Sequence, residues 1–322
     1  MSEPTSTKVR VAVLQAESCW LDLDASVKKA IKYIEEAAQK GANLIAFPEV
    51  WIPGYPAWIW ARPIDLEFLA KYTLNSLSRD SPQMKAICSA AAKNRINVCL
   101  GYSERDGNSL YISQSLISSD GQIKMSRRKI KPTHMERTIF GESSGSGLNN
   151  VAEMEIGRVG ALACWEHTQP LLKYHTASQN EQIHVSAWPP LFRCQPHDLY
   201  SVTKEGADAL ACSYAIETQS FVLHATGTFS QEAIEMMGLQ GNMFFGHVGG
   251  GCAAVFGPGG KKLSQDLEET QEGLVMADLD LATITPVKGF LDVVGHYSRP
   301  DLLRLVVDRR EKEVVEYDLR SE

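Results

Sequence analysis

The feature that most constrains this fold is an opening unit of apolar strand, helix and second apolar strand. Residues 8–15 (KVRVAVLQ) are predicted to form a buried strand, and residues 43–47 (NLIAF) a second one that ends at Pro48. Between them, from Val27 onwards, apolar residues recur at helical spacing until Gly41. A strand–helix–strand unit favours an α/β architecture.

The remainder of the chain continues this alternation and adds hairpins. Further strands are predicted at 110–117, 122–130, 158–163, 183–188 and 220–225, and further helices at 170–179 and 199–217. The first two of these strands flank Asp120-Gly121, a hairpin signal. Hairpins mixed with strand–helix units imply a sheet that is not purely parallel. No repeat or linker interrupts the pattern, so residues 1–322 are predicted to form a single domain.

The charge and the cysteines exclude several classes of protein. The net charge is −7, and Lys and Arg do not gather in an isolated block, which argues against nucleic acid or an anionic membrane as partner. Seven scattered cysteines do not resemble a disulfide framework. The N-terminus lacks an apolar signal core, and no apolar run approaches the roughly 18 residues of a membrane span. We therefore expect a cytoplasmic protein.

Three polar residues stand just past the ends of predicted strands. Glu49 follows residues 43–47, Lys131 follows residues 122–130, and Cys164 follows residues 158–163. In open α/β sheets, ligands gather outside the carboxyl ends of strands. A thiol, a cation and a carboxylate at one such edge suggest a nucleophile, a charge-stabilising group and a general base.

Five segments resemble the nitrilase superfamily. FPEVWIPGYP (47–56), RRKIKPTHMER (127–137) and CWEH (164–167) resemble its three signature segments, in the family's order. QNEQIHVSAWPP (179–190) and VGHYSRPDL (294–302) are similar to the nitrilase branch in particular. The likeness extends over roughly residues 8–310. It implies an αββα sandwich with mixed sheets and outer helices, and an enzyme that needs no cofactor.

The resemblance also implies roles for four residues. Cys164 is the expected nucleophile, Glu49 the general base and Lys131 the charge-stabilising group, with Glu136 as a supporting carboxylate. The reaction implied is hydrolysis of a nitrile to a carboxylic acid and ammonia through a covalent thioimidate and a thioester. A neighbouring cation favours the thiolate, which is the attacking form of cysteine.

The residues after Cys164 bear on the substrate class. Trp165 is similar to nitrilases, whereas amidase and carbamoylase branches usually carry another residue there. Cyanide hydratases resemble the chain over the same range but typically read CWEN, and His167 departs from that pattern. A cyanide or nitrile hydratase, or an amidase of the same superfamily, is the alternative reading. A catalytically silent scaffold is a second alternative, against which the presence of Glu49, Lys131 and Cys164 together argues.

Aromatic residues are the candidates for substrate contacts. The expected substrate-binding residues are Trp51, Tyr55, His134, Trp165 and Trp188. Such side chains suit aryl or arylacetonitriles, although packing in the core explains an aromatic side chain equally well.

Two pairs of cysteine and histidine raise the alternative of a metal site. Cys164/His167 and Cys194/His197 supply two Cys-x-x-His pairs, the ligand types of a zinc site. The Cys-x-x-Cys spacing of zinc knuckles is absent from the sequence and Pro196 stiffens the second pair, so no metal is predicted.

The resemblance further implies self-association. Its members form homodimers that often extend into spirals or filaments. Residues after about 303 are expected to be a C-terminal extension that is short compared with the tails of some relatives.

Overall fold

A computed structural model of the chain describes residues 7–311 and residue 315. The strands are Lys8–Gln15 (β1), Leu44–Ala46 (β2), Asn97–Asp106 (β3), Ser109–Ile117 (β4), Ile123–Arg128 (β5), Val151–Met154 (β6), Gly157–Ala163 (β7), Ile183–Trp188 (β8), Phe221–Thr226 (β9), Ala254–Phe256 (β10) and Gly273–Asp280 (β11). The α-helices are Leu23–Gln39 (α1), Leu66–Leu74 (α2), Pro82–Asn94 (α3), Pro170–Ser178 (α4), Lys204–Thr218 (α5), Gln231–Met237 (α6) and Ile284–Phe290 (α7).

The strands form two half-sheets joined at one point. One half has β5, β4, β3, β2 and β1 in order, with β11 antiparallel to β1. The other has β6, β7, β8 and β9, with β10 antiparallel to β9. The halves are linked through the pair Gln15 and Thr226. Parallel pairs such as β1–β2 and β7–β8 coexist with antiparallel pairs such as β4–β5, so the sheet is mixed, as predicted.

The two half-sheets pack face to face around one buried apolar cluster. Val11 and Val13 of β1 meet Val159 of β7, Val185 of β8 and Leu223 of β9 in this cluster. Burial of aliphatic side chains from both sheets removes about 1.5–3 kcal/mol of unfavourable hydration for each side chain. The half-sheets therefore form the two inner layers of a sandwich.

Helices cover both outer faces. On the first half, Ala30 and Ile34 of α1 and Ile87 of α3 pack against Ala12 and Leu14, which point away from the central core because side chains alternate along β1. On the second half, α5 packs against β9 and β10 through residues that include Ala211, Tyr214 and Ala215. The layers are helix, sheet, sheet and helix, which is the predicted αββα sandwich.

Several boundaries differ from the sequence-based expectation, such as the start of α5 at Lys204 rather than at residue 199, and two of these differences have a clear cause or consequence. Helix α1 begins at Leu23 rather than near Val27, because the Asp22 side chain caps it by accepting a hydrogen bond from the backbone N–H of Ala25. Strand β5 ends at Arg128 rather than at residue 130. The second difference decides which lysine reaches the site described below.

The structure describes part of the expected C-terminal extension. Of the expected C-terminal extension, residues 304–311 and 315 are described without helix or strand, while 312–314 and 316–322 lie outside the described residues. Among the described residues, no helix has the length and apolar character needed to cross a membrane.

Candidate active site

Cys164 lies at the carboxyl end of β7, where the strand turns abruptly. It begins a short 3₁₀ turn, Cys164–Thr168, and its φ is 50°. A left-handed backbone is uncommon for a residue with a Cβ and is strained, so surrounding contacts must hold it. The side chain is buried, with 4% of the residue exposed. The turn therefore projects a single thiol from the sheet into the interior of the protein.

A buried ion pair anchors this turn. Glu166 binds Arg127 in bidentate fashion, at 2.8 Å to Nη1 and 2.6 Å to Nη2. The same carboxylate accepts hydrogen bonds at 2.9 Å from the backbone N–H groups of Ala163 and Ile130. Burial alone would raise the pKa of Glu166, but Arg127 and these N–H groups lower it. The pair therefore ties the end of β5 to the end of β7.

A lysine bridges two buried carboxylates beside the thiol. Lys129 Nζ lies 2.9 Å from Glu49 Oε1 and 2.8 Å from Glu136 Oε2, and all three side chains are buried. Oxygens of Glu49 and Glu136 and the sulfur of Cys164 all lie within 4.8 Å of one another. Burial works against the lysine charge, but the two carboxylates raise the pKa of Lys129 well above its usual value. The cation is therefore permanent.

The lysine in this cluster is not the one expected from the sequence. Lys131 is exposed, with 59% of its side chain accessible, and pairs with Glu142 at the surface. Side chains alternate along β5, so Met125 and Arg127 point inwards, and Lys129 continues that buried face just past the strand. The same period of two, applied to Met125, Arg127 and Lys129, is the sequence signal that marks Lys129 as a buried, inward-facing side chain.

Protonation in the cluster favours a neutral thiol and a poised base. Burial, followed by the charge of Glu49, raises the pKa of Cys164 well above its usual value, against the opposing effect of Lys129. Burial also raises the pKa of Glu49 to about 8. Glu49 Oε2 is buried and has no hydrogen-bond partner among the described residues. Once Glu49 is deprotonated, this unpaired oxygen beside the protonated thiol is a ready acceptor for its proton.

A cavity with mainly aromatic and aliphatic walls opens onto Cys164 and Glu136. Its volume is about 350 Å³, within the usual size range of small-molecule sites. Trp60 stacks on His134 with ring centroids 5.5 Å apart. The Trp60 indole N–H donates to the Tyr55 hydroxyl at 3.2 Å, and that hydroxyl donates to Glu136 Oε1 at 3.1 Å. The aromatic wall is thus hydrogen-bonded to the charged cluster.

Three of the five expected substrate-binding residues line this cavity. They are Tyr55, His134 and Trp165. Trp51 does not, because its indole N–H donates to the Ala16 carbonyl at 3.0 Å within the core beneath α1.

Trp188 also lies away from the cavity. It is fully buried, donates to the Ser186 hydroxyl at 2.7 Å and stacks on His167. Sequence reasoning missed Phe244 and Phe245, which line the cavity. These two residues lie outside regular secondary structure, so no periodic pattern marks them.

Two groups of potential metal ligands occur among residues 7–311 and 315. One is Glu49, Glu136 and Cys164, and Lys129 already pairs with both of its carboxylates. The other is Asp208, His224 and Cys252, where Lys204 pairs with Asp208 at 2.9 Å. Neither group contains the Cys194/His197 pair considered in the sequence.

The sequence matches the carbon–nitrogen hydrolase family over residues 10–289. It is 58% identical to an arylacetonitrilase of Aspergillus kawachii over 307 residues, which cover 94% of this chain and 93% of the relative. It is 57% identical to an arylacetonitrilase of Aspergillus niger over 306 residues, covering 94% and 92% of the two chains.

A solved structure of low sequence identity shares the fold. The carbon–nitrogen hydrolase of Helicobacter pylori G27 superposes with a TM-score of 0.71 at 16% identity, covering 92% of this chain and 96% of that one. At this identity the likeness concerns the arrangement of layers and strands.

Proposed function

Because the chain belongs to the carbon–nitrogen hydrolase family, we propose that it is a nitrilase that hydrolyses arylacetonitriles or aryl nitriles to carboxylic acids and ammonia. One observation carries the proposal. A buried thiol lies beside the Glu49–Lys129–Glu136 cluster and faces an aromatic-lined cavity. Such a cavity accepts an aromatic ring, and the cluster supplies the base and the charge that attack on a nitrile requires.

The first step forms a covalent thioimidate. Glu49 takes the proton of the Cys164 thiol while the sulfur attacks the nitrile carbon, and the nitrile nitrogen then receives that proton. Lys129 and the backbone N–H of Trp165, which acts to lower the pKa of the Cys164 thiol, stabilise the charge that develops on nitrogen. One such donor typically contributes about 2.7–4 kcal/mol to the transition state.

The second step releases ammonia and then the acid. Water adds to the thioimidate carbon, and the resulting tetrahedral species expels ammonia and leaves a thioester. Glu49 then deprotonates a second water, which hydrolyses the thioester and regenerates the thiol. If the tetrahedral species expels the thiol instead, the product is an amide.

Lys129 and Glu136 complete the proposed machinery. Lys129, in place of Lys131, is the charge-stabilising group, since its ammonium lies against both carboxylates. Glu136 holds that ammonium and also accepts a hydrogen bond at 2.6 Å from the backbone N–H of Thr133. Its supporting role is therefore to fix the position of Lys129.

The raised pKa of Glu49 predicts that kcat/KM begins to fall, as the pH is lowered, at an unusually high pH. Below about pH 8 Glu49 carries a proton and cannot accept one from Cys164, so kcat/KM for a neutral nitrile is expected to rise with pH and level off above that value. The free energy of unfolding is expected to change with pH in the opposite direction to kcat/KM. Burial favours protonated Glu49 in the folded state, so its contribution is lost as pH rises through about 8. Initial rates and denaturation midpoints, measured from well below pH 8 to above it, test both trends. A rate profile that is flat below pH 8 contradicts the role of Glu49.

Product analysis tests the function itself. The panel contains phenylacetonitrile, benzonitrile, an aliphatic dinitrile, cyanide and the matching amides, with the Cys164→Ala variant as the blank. Ammonia release and chromatography are expected to give phenylacetic acid and ammonia from phenylacetonitrile, and slower turnover of the dinitrile. Amide as the main product, or turnover restricted to cyanide or to amides, moves the protein to a neighbouring branch. No turnover at all supports the scaffold reading.

The proposal includes self-association and a reducing compartment. The family resemblance is the basis for proposing homodimers that assemble into spirals or filaments, and large apolar side chains such as Ile64, Leu66 and Phe290, which are 86%, 74% and 83% exposed, are available for such contacts. All seven cysteines lie within the described residues as free thiols, which supports a cytoplasmic location.

A further inference from the structure

A continuous chain of buried hydrogen bonds begins at the nucleophile and ends on an outer helix. His167 Nδ1 lies 2.7 Å from the backbone carbonyl oxygen of Cys164, and His167 Nε2 lies 3.0 Å from His184 Nε2. His184 Nδ1 lies 2.8 Å from Glu181 Oε2, and the Tyr214 hydroxyl of α5 donates to Glu181 Oε1. All four side chains are nearly or fully buried. None has a place in the chemical steps above.

The Cys164 carbonyl at one end of the chain fixes the direction of these hydrogen bonds. A carbonyl only accepts, so His167 Nδ1 carries hydrogen and donates to Cys164. Burial, followed by the nearby His184, lowers the pKa of His167 well below its usual value, so the ring is neutral and its Nε2 accepts. His184 Nε2 must then be the donor to His167. This holds whether the Glu181–His184 pair is ionised or neutral, because the proton they share lies on Nδ1 of His184 or on Glu181.

The backbone around Glu181 is adapted to hold its carboxylate in place. Gly160 of β7 faces Glu181, and a Cβ at that position would overlap Glu181 Oε2. The His184 ring stacks on Tyr214 with centroids 3.9 Å apart. A buried carboxylate is costly unless its oxygens are hydrogen-bonded, and here both are. The chain is therefore a fully satisfied network rather than a chance contact of core side chains.

This network acts on the peptide bond that follows the nucleophile. The carbonyl of Cys164 and the N–H of Trp165 belong to one planar trans peptide and therefore point in opposite directions. His167 holds the carbonyl on the buried side. The N–H of Trp165 is thereby directed to the other side, towards the Cys164 sulfur, where it acts to lower the pKa of the thiol. Because Cys164 has a strained positive φ, this orientation needs an external restraint.

We propose that His167, His184, Glu181 and Tyr214 are positioning residues that lock the Cys164–Trp165 peptide so that its N–H faces the reacting sulfur and nitrogen. The inference rests on the proposed nitrile hydrolysis. It extends that function from the residues that contact the substrate to a relay that reaches helix α5. Losing Nδ1–H of His167, or reversing its tautomer, releases the peptide and weakens thiolate formation and charge stabilisation together.

The first test removes the donor while the ring is kept. His167→Phe is expected to lower kcat for phenylacetonitrile by about 10²–10³-fold, the usual effect of losing one such donor, with KM nearly unchanged. Alkylation of Cys164 by iodoacetamide, followed at the peptide level, is expected to slow and to shift to higher pH. This second readout needs no nitrile. A wild-type protein that alkylates normally but turns over no nitrile overturns the proposed function and leaves the relay open to test.

The second test acts at the remote end, where a matched pair separates hydrogen bonding from simple packing. Glu181→Gln keeps the direction of the relay, because the amide oxygen accepts from Tyr214 and the amide N–H donates to His184 Nδ1. It is expected to stay within about threefold of wild type in kcat, whereas Glu181→Leu is expected to approach the His167→Phe level. The denaturation midpoint of each variant is measured alongside.

Three outcomes overturn the proposal. The first is folded His167→Phe with normal kcat and a normal alkylation profile. The second is folded Glu181→Leu that behaves like Glu181→Gln. The third is folded Glu181→Gln as slow as Glu181→Leu, because the direction of the bonds alone would then not account for the effect.

Discussion

Replacement of Lys129 by methionine is expected to lower kcat/KM for phenylacetonitrile by about 10⁴-fold, the scale seen when one member of a catalytic triad is removed. Methionine fills nearly the same volume but removes the ammonium that lies 2.9 Å from Glu49 and 2.8 Å from Glu136. Without that cation, the thiolate and the charge on the substrate nitrogen lose their buried counter-charge. Ammonia release under initial-rate conditions measures the effect.

Lys131→Met is the matched control for this experiment. It removes the same charge two positions further along, from a side chain that is 59% exposed and pairs with Glu142 at the surface. Exposed ion pairs contribute about 0–1 kcal/mol, so activity within about twofold of wild type and an unchanged fold are expected. The reverse pattern, with Lys131 essential and Lys129 dispensable, would contradict the role of Lys129 as the charge-stabilising group.

Replacement of Cys164 by alanine is expected to remove turnover by about 10⁶-fold, as for the nucleophile of other covalent hydrolases. Alanine keeps a Cβ and so leaves the cost of the positive φ unchanged, which predicts a folded variant. The measurement is acid and ammonia production together with the denaturation midpoint. Folded Cys164→Ala with substantial nitrile turnover would refute covalent catalysis by this thiol.

Two further cysteine variants serve as controls, because they show whether the loss of any cysteine or only that of Cys164 abolishes turnover. Cys194 is exposed and Cys252 is buried, and neither lines the cavity. Cys194→Ser and Cys252→Ala are expected to retain turnover. In wild type, phenylacetonitrile is expected to protect the Cys164 peptide from alkylation and to leave the exposed Cys194 peptide unprotected. Equal protection of both peptides would show that the probe does not report on the site.

Strands buried on both faces were predicted well from the sequence. Residues 8–15 and 183–188 agree in their bounds with β1 and β8, because runs of apolar residues leave few other structures open to them. Strands β3, β6 and β11 were not predicted. Polar residues occupy the end of β3, Ser-Glu-Arg-Asp, and its pairing with β4 holds these residues in the sheet. Long-range pairing overrides local composition there.

The sequence by itself determined the layer architecture, the family and three of the four groups of the buried cluster: Cys164, Glu49 and Glu136. The alternation along β5 marks Lys129 as inward-facing, but only the tertiary structure shows that its ammonium reaches Glu49, 80 residues away in the chain. Packing likewise decided which aromatic residues line the cavity, placing Tyr55 there and Trp188 in the core. The physical reason is that a motif specifies the chemical type of a side chain. Its direction depends on where its strand ends and on what packs against it.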